Sequence, residues 1–238
     1  MSINQHGSPS DNSKVGSERA GQAQGRNGTG VRSLAQLRER LPRMPLFIAV
    51  WLILTALAVP FDYPVAKWMS SDFARGTVRP VLGAMSFMGL YPVHLLAIFA
   101  LLALPKPKKI LIGYLTATLG PMLLCGALKF IIGRARPKLY MGPFHFEFFH
   151  GYLTKMNSFP SGEATSAMAL ATVLGFYFPR SRWAFWILGG LTGLARVAKT
   201  MHFLSDAVFA AGLGIGCVFL AASLLGPQYF KIEKPQLD

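Results

Sequence analysis

The chain has 238 residues, 52% of them hydrophobic and only 14% charged, with a mean hydropathy of +0.39 and a formal net charge of +14. A soluble domain carries about 25% charged residues, so this composition excludes an ordinary soluble enzyme and indicates an integral membrane protein. The cations flank apolar runs, which fits a membrane better than nucleic acid, and both cysteines, Cys125 and Cys217, sit inside apolar runs, which argues against a disulfide framework or a zinc site.

Residues 1–42 are rich in Ser, Gly, Asn, Gln and Arg, and read as a disordered basic tail. Residues 31–43 fit either a short amphipathic helix on the membrane surface or a solvated linker. Six apolar spans follow, at about 45–61, 81–104, 110–132, 161–178, 183–198 and 203–225. The first is short, with Asp62 just beyond it. The second is interrupted by Gly89 and Pro92, and the third holds Pro121, a kink signal. Short cationic connectors, Pro105 to Lys109 and Pro179 to Arg182, join spans two to three and four to five. The expected fold is all-α: a six-transmembrane-helix bundle over 43–228, with cytoplasmic tails at 1–42 and 229–238.

Six crossings put both termini on one side, together with the cationic connectors. The positive-inside rule makes that side cytoplasmic and places the long loop 133–160 on the outer, periplasmic face of a bacterial inner membrane. That face still carries Lys129, Arg134, Arg136, Lys138, Lys155, Arg196 and Lys199. Cations in breach of the topology rule, gathered on two outward loops, are expected to bind an anion.

Three stretches meet this face: Lys129-x6-Arg136-Pro137, Pro160-Ser161-Gly162-Glu163, and Arg196-x5-His202-x3-Asp206. Arginine offers planar paired donors to phosphate oxygens and lysine a point charge. Ser161 is a good helix N-cap, and the free N–H groups behind it make an anion site that Gly162 leaves open. His202 and Asp206, four residues apart, are expected on one helix face. There Asp206 orients one imidazole nitrogen and the other attacks phosphorus, while the cations stabilise the transition state. Each piece alone has a bland reading, such as a snorkelling lysine or a structural histidine. Three in this order, at one end of the spans, argue against accident.

These motifs resemble those of the type 2 phosphatidic acid phosphatase superfamily, which includes lipid phosphate phosphatases, bacterial acid phosphatases and vanadium haloperoxidases. The resemblance covers the chain from about residue 45. It implies that Lys129, Arg136 and Arg196 bind phosphate with help from Ser161 and Gly162, that His202 is the nucleophile and Asp206 its partner, and that hydrolysis needs neither metal nor cofactor. Two positions depart from the family pattern: Ala195 stands where a serine is usual, and Glu163 where the pattern has histidine, the acid that protonates the leaving group. Three readings of Glu163 follow. It replaces that histidine as acid or water activator; or the substrate, a diphosphate or anomeric phosphate, has a leaving group that needs less protonation; or the protein binds lipid phosphates with little turnover.

The expected function is a membrane lipid phosphatase. It removes a terminal phosphate from lipid A, phosphatidylglycerol phosphate, phosphatidic acid or a polyprenyl diphosphate through a phosphohistidine. A lipid phosphotransferase and a catalytically weak lipid-phosphate-binding protein are the alternatives; no nucleic acid is expected as partner. The run His145-x-Glu147-x2-His150 has metal-ligand residue types, but its phenylalanine neighbours fit an interfacial belt or a lid over a lipid tail. His94 reads as structural.

Overall fold

The structure, a computed structural model, describes residues 43–103, 107–153 and 155–230. The basic tail, nearly all of the segment 31–43, part of the first cationic connector, and the end from 231 with its two lysines lie outside the described residues.

Apolar runs of helix-forming residues become helices throughout. Helix α1, Met44–Ala58, continues through a 3-10 turn, Val59–Phe61, into α2, Asp62–Met69. A π turn, Ala74–Val78, leads to α3, Arg79–Ala84. Then come α4, Tyr91–Leu102; α5, Pro107–Ile132; α6, Gly162–Tyr177; α7, Arg182–Ala198; and α8, Leu204–Leu225. The fold is all-helical, and β pairing among the described residues is one isolated bridge, Arg134 to Phe146.

Among the described residues, three helical stretches are long and apolar enough to cross a membrane: Met44–Met69, Pro107–Ile132 and Leu204–Leu225. Helices α4, α6 and α7 are shorter, at 12, 16 and 17 residues. The expected second span is not one helix. It breaks into α3, a turn over 85–90, and α4, because Pro92 enters at the second position of α4. A proline there lacks the N–H that a continuing helix would need, and its ring would meet the carbonyl of Met88. Leu90, in extended conformation, absorbs the change of direction.

Helix α6 lies at the centre, and every residue from Ala164 to Val173 is buried. It has no polar stripe, because α5, α7 and α8 surround it. Small side chains allow the close approach. A Cβ at Gly214 of α8 would stand 2.6 Å from the Thr165 carbonyl oxygen, and one at Gly189 of α7 would stand 2.7 Å from the Met168 sulfur. Helix α1 packs on α8, where the Trp51 indole donates to the Phe209 carbonyl at 3.0 Å. Its other face presents Leu46, Ile48, Ile53 and Leu57 outward. A surface that apolar is suited to hydrocarbon.

The loop 133–160 folds back over the end of α5. Amide groups of Gly133, Gly151 and Phe149 donate to the carbonyls of Lys129, Phe130 and Ile131. These are orphan acceptors of the helix terminus, so the loop is anchored where α5 delivers Lys129.

Candidate active site

Three helix ends, with the loops beyond two of them, converge on one cavity of about 570 Å³. The last turn of α5 brings Lys129, and the loop beyond it brings Arg136. The last turn of α7 brings Arg196, and the following turn brings His202. The first turn of α6 brings Gly162 and Glu163. All six line the cavity. Two of the cations sit at helix C-termini, where the helix dipole favours positive charge.

His202 is 4% exposed. Its Nδ1 lies 2.6 Å from the carbonyl oxygen of Ser158. A carbonyl only accepts, so Nδ1 carries the proton and Nε2 of the neutral ring keeps its lone pair. Burial holds the imidazole well below its ordinary pKa of 6.5, and Lys129, Arg196 and Arg136 push the same way, against the Ser158 carbonyl. The ring is therefore neutral near pH 7.

Asp206 is not the partner of the imidazole. Its carboxylate accepts from Ser158 Oγ at 2.5 Å, the Phe203 amide at 2.8 Å and Arg134 Nη1 at 2.5 Å. A spacing of four puts two side chains on one face only within a helix, but α8 begins at Leu204 and His202 lies in the turn before it. Ser158 connects the two: its carbonyl orients His202 and its hydroxyl is held by Asp206.

Asp206 belongs to a buried network that sequence reasoning missed. Arg134 also donates to Asp62 at 2.7 Å and to Ser205 Oγ at 2.9 Å. Asp62 in turn accepts from the Ser205 amide and hydroxyl at 2.8 and 2.6 Å. Asp62 and Asp206 are both 0% exposed. Arg134, expected to bind an anion, is thus committed to two carboxylates, with Phe203's ring 4.4 Å below its guanidinium. Lys199 is likewise engaged, with its Nζ 3.0 Å from Ser86 Oγ. Of the outer cations, Lys129, Arg136 and Arg196 reach the cavity.

Asn157 is a second missed residue. Its side-chain oxygen accepts from Arg136 Nε and Nη2 at 2.9 and 2.6 Å, and its carbonyl accepts from Lys129 Nζ at 2.5 Å. It sits in the cavity wall and fixes two cations at once. The signal was there to read: Asn157-Ser158 is a polar pair one residue ahead of Pro160-Ser161-Gly162 in a loop otherwise rich in aromatics.

Ser161 caps α6, accepting the Ala164 amide at 3.4 Å. It is fully buried, so the face of the helix terminus turned to the cavity is made by Gly162 and Glu163. A Cβ on Gly162 would stand 3.7 Å from Lys129 Cε, inside the space that the cations line. Glu163 pairs with Arg196, Oε1 to Nη2 at 3.1 Å. Among the described residues its Oε2 and the Arg196 Nε, both buried, have no hydrogen-bond partner. In the aromatic loop, His145 lies 3.3 Å from Glu147, while His150 turns to the Phe148 carbonyl, so the three do not converge as a metal cluster.

The arrangement can hold a tetrahedral anion between three cations, with a neutral imidazole nitrogen facing it. The family profile of the PAP2 superfamily matches residues 110–229, which spans Lys129 to α8. A lipid A 1-phosphatase of Rhizobium johnstonii is 39% identical over 99 residues, 41% of this chain and 39% of that protein. A lipid A 1-phosphatase of Rhizobium etli is 40% identical over 96 residues, 40% of each chain. The match thus spans about two fifths of each relative's length. A transmembrane PAP2-type phosphatidylglycerolphosphate phosphatase from Bacillus subtilis shares the fold, with a TM-score of 0.51 and 20% identity over 75% of this chain and 94% of that one. With the profile covering half its length and the matched segment carrying the convergent cations and the histidine, the chain belongs to the PAP2 superfamily.

Proposed function

We propose that the protein is a membrane lipid phosphatase that transfers a terminal phosphoryl group to His202 and then to water. The observation that carries this reading is the Ser158 carbonyl on Nδ1 of His202, which leaves the Nε2 lone pair in a cavity lined by three cations. Nε2 attacks phosphorus, the bond to the lipid oxygen breaks, and the phosphoryl remains on the ring. Lys129, Arg136 and Arg196 neutralise the equatorial oxygens as charge develops. Water then takes the phosphoryl from His202, and phosphate leaves.

Glu163 supports a particular kind of leaving group. Paired with Arg196, it is a carboxylate partner first and a proton donor second. A substrate whose leaving oxygen is acidic needs less protonation. Two relatives are named lipid A 1-phosphatases, and a phosphate on carbon 1 of a sugar leaves a hemiacetal oxygen, which is such a group. In the second half-reaction Glu163 takes a proton from water, a role supported by its Oε2, which has no hydrogen-bond partner among the described residues.

The topology that goes with this reading has six crossings over 43–228. The pair α3 and α4 together makes the second, both termini are cytoplasmic, and the cavity opens to the periplasm of a bacterial inner membrane. The test is phosphate release from lipid A, phosphatidylglycerol phosphate, phosphatidic acid and a polyprenyl diphosphate by wild type, His202→Ala and Glu163→His. Release by wild type and none by His202→Ala is expected. One observation favours a second reading, a lipid-phosphate-binding protein with little turnover: Glu163 occupies part of Arg196. An inert wild type made active by Glu163→His selects that reading.

A further inference from the structure

Beyond the cations the cavity runs between α4 and α5, where Leu95, Ile98, Leu115 and Leu119 form its walls. This is a lining for a hydrocarbon chain. One polar cluster interrupts it. His94 of α4 sits between Tyr114 of α5 and Ser166 of α6, with Nδ1 2.7 Å from the Tyr114 hydroxyl and Nε2 2.6 Å from the Ser166 hydroxyl. All three line the cavity.

A neutral imidazole has one N–H and one lone pair. The three side chains therefore hold three protons and make two hydrogen bonds, so one hydroxyl proton is always left over. When Tyr114 donates to Nδ1, Nε2–H donates to Ser166, and the Ser166 proton is unspent. The other tautomer moves the spare proton to Tyr114. Thr165 and Thr172, the neighbouring hydroxyls of α6, return their protons to carbonyls one turn back, on Ser161 and Met168. Among the described residues Ser166 makes no such bond; its contact is His94.

Ser166 follows Glu163 by three residues, so the two share a face of α6 with their Cβ atoms about 5–6 Å apart. In the tautomer with Tyr114 donating to Nδ1, the spare donor stands one turn deeper than the phosphate end, where a lipid headgroup gives way to its chains. A buried donor without an acceptor is costly, and a ligand oxygen relieves it. The ester or amide carbonyl of an acyl chain lies at that depth in an acylated lipid phosphate. A polyprenyl chain has no acceptor there.

We propose that Ser166, backed by His94 and Tyr114, is a specificity site that donates a hydrogen bond to an acyl carbonyl, so that the substrate class is acylated lipid phosphates and not polyprenyl phosphates. This rests on the lipid phosphatase reading of the same cavity. The test uses the full chain in detergent micelles and a matched pair of probes, 1-acyl and 1-alkyl glycerol phosphate of equal chain length. They differ only in the carbonyl.

Binding is measured by titration, and phosphate release in parallel. A neutral hydrogen bond is worth about a three- to tenfold difference in affinity, so the acyl probe binds tighter by that factor. Ser166→Ala brings the ratio to one, and Ser166→Thr, which keeps a hydroxyl, retains it. Equal binding of the two probes to wild type, an unchanged ratio in Ser166→Ala, or no binding of either probe overturns the site. The expected ratio with no phosphate release from either probe or from lipid A leaves the site standing and removes the phosphatase reading. Release from both probes at equal affinity does the reverse.

Discussion

Replacing Asp206 by asparagine tests whether this carboxylate acts on His202 through Ser158 or by touching the ring. The side chain keeps its shape but loses one acceptor oxygen. If the amide oxygen faces Ser158 Oγ and the Phe203 amide, its NH2 group meets Arg134 Nη1, donor against donor, where a 2.5 Å bond stood. If it is turned over, the Phe203 N–H loses its acceptor. Either way one charge-assisted bond is lost, about 1.5–3 kcal/mol, and one buried donor is left unpaired, about 1–3 kcal/mol more. Arg134 keeps Asp62, so no buried charge is stranded. For a chain of this length each kcal/mol lowers Tm by about 2–4 °C, and the expected fall is roughly 5–20 °C in a thermal scan in detergent. The Ser158 carbonyl remains to hold Nδ1, so phosphate release well below Tm drops by no more than about a hundredfold, the effect of a small misplacement. Direct contact between Asp206 and the ring predicts the opposite pattern: a nearly unchanged Tm and a loss of about 10⁴ through the wrong tautomer. That result refutes the Ser158 connection.

Three further outcomes follow from the same geometry. Asn157→Ala removes the acceptor that fixes Arg136; kcat/KM for phosphate release is expected to fall about 10- to 100-fold, the worth of hydrogen bonds to a charged group, and an unchanged value would count against Asn157 as a positioning residue. Gly89→Ala puts a Cβ into the backbone of Glu163 at the start of α6; overpacking of this kind costs about 1–3 kcal/mol, so both Tm and phosphate release should drop, and wild-type values for both would show that the contact between the 85–90 turn and α6 is loose. The lowered pKa of His202 fixes a pH dependence: the unfolded chain binds a proton below about pH 6.5 that the folded chain refuses, so this stability is present above 6.5 and is lost as pH falls, by up to about 1.4 kcal/mol per unit. His202→Ala should flatten that acid-side loss, and in wild type the acid limb of kcat/KM should lie below the ordinary histidine range; a limb at 6.5 assigned to His202 contradicts its burial.

What could be read from the chain depended on how local the determining interactions are. Helices α6, α7 and α8 fall within a residue of their expected ends, because Pro160-Ser161, Pro179 and the apolar runs set their boundaries within a few positions. The cation set Lys129, Arg136 and Arg196 was legible because each closes an apolar run or follows one closely. Asp62 was not legible. Its partners Arg134 and Ser205 lie 72 and 143 residues away, and next to a hydrophobic run it looks like an interfacial residue. The His202–Asp206 pairing failed for a narrower reason. Spacing of four implies a shared face only inside a helix, and whether α8 starts at 202 or 204 depends on Asp206 itself, which caps the helix through the Phe203 amide. Ser158 and Asn157 were hidden because a loop residue acts through its backbone carbonyl as much as through its side chain, and the identity of a side chain says nothing about where its carbonyl points.

The remaining anomaly, Glu163, has a consistent place once charges around the cavity are counted. Lys129, Arg136 and Arg196 supply three positive charges and Glu163 one negative, and all four line one space. The site therefore presents a net +2, which matches a phosphate monoester dianion. A protonated histidine at 163 would leave it overcharged toward such a group. A diphosphate, with more charge than the dianion, would be undercompensated in a low-dielectric setting, where unbalanced charge is expensive. Glu163 does not consume Arg196. It engages one Nη2 contact, while the Nε proton has no partner among the described residues, and a guanidinium has five N–H groups to offer. We propose that the substitution favours a monoester while keeping the grip. On this proposal, charge balance at one end of the cavity and the proposed carbonyl donor at the other, Ser166, favour the same class of molecule: an acylated lipid with a phosphate monoester at the cleaved position.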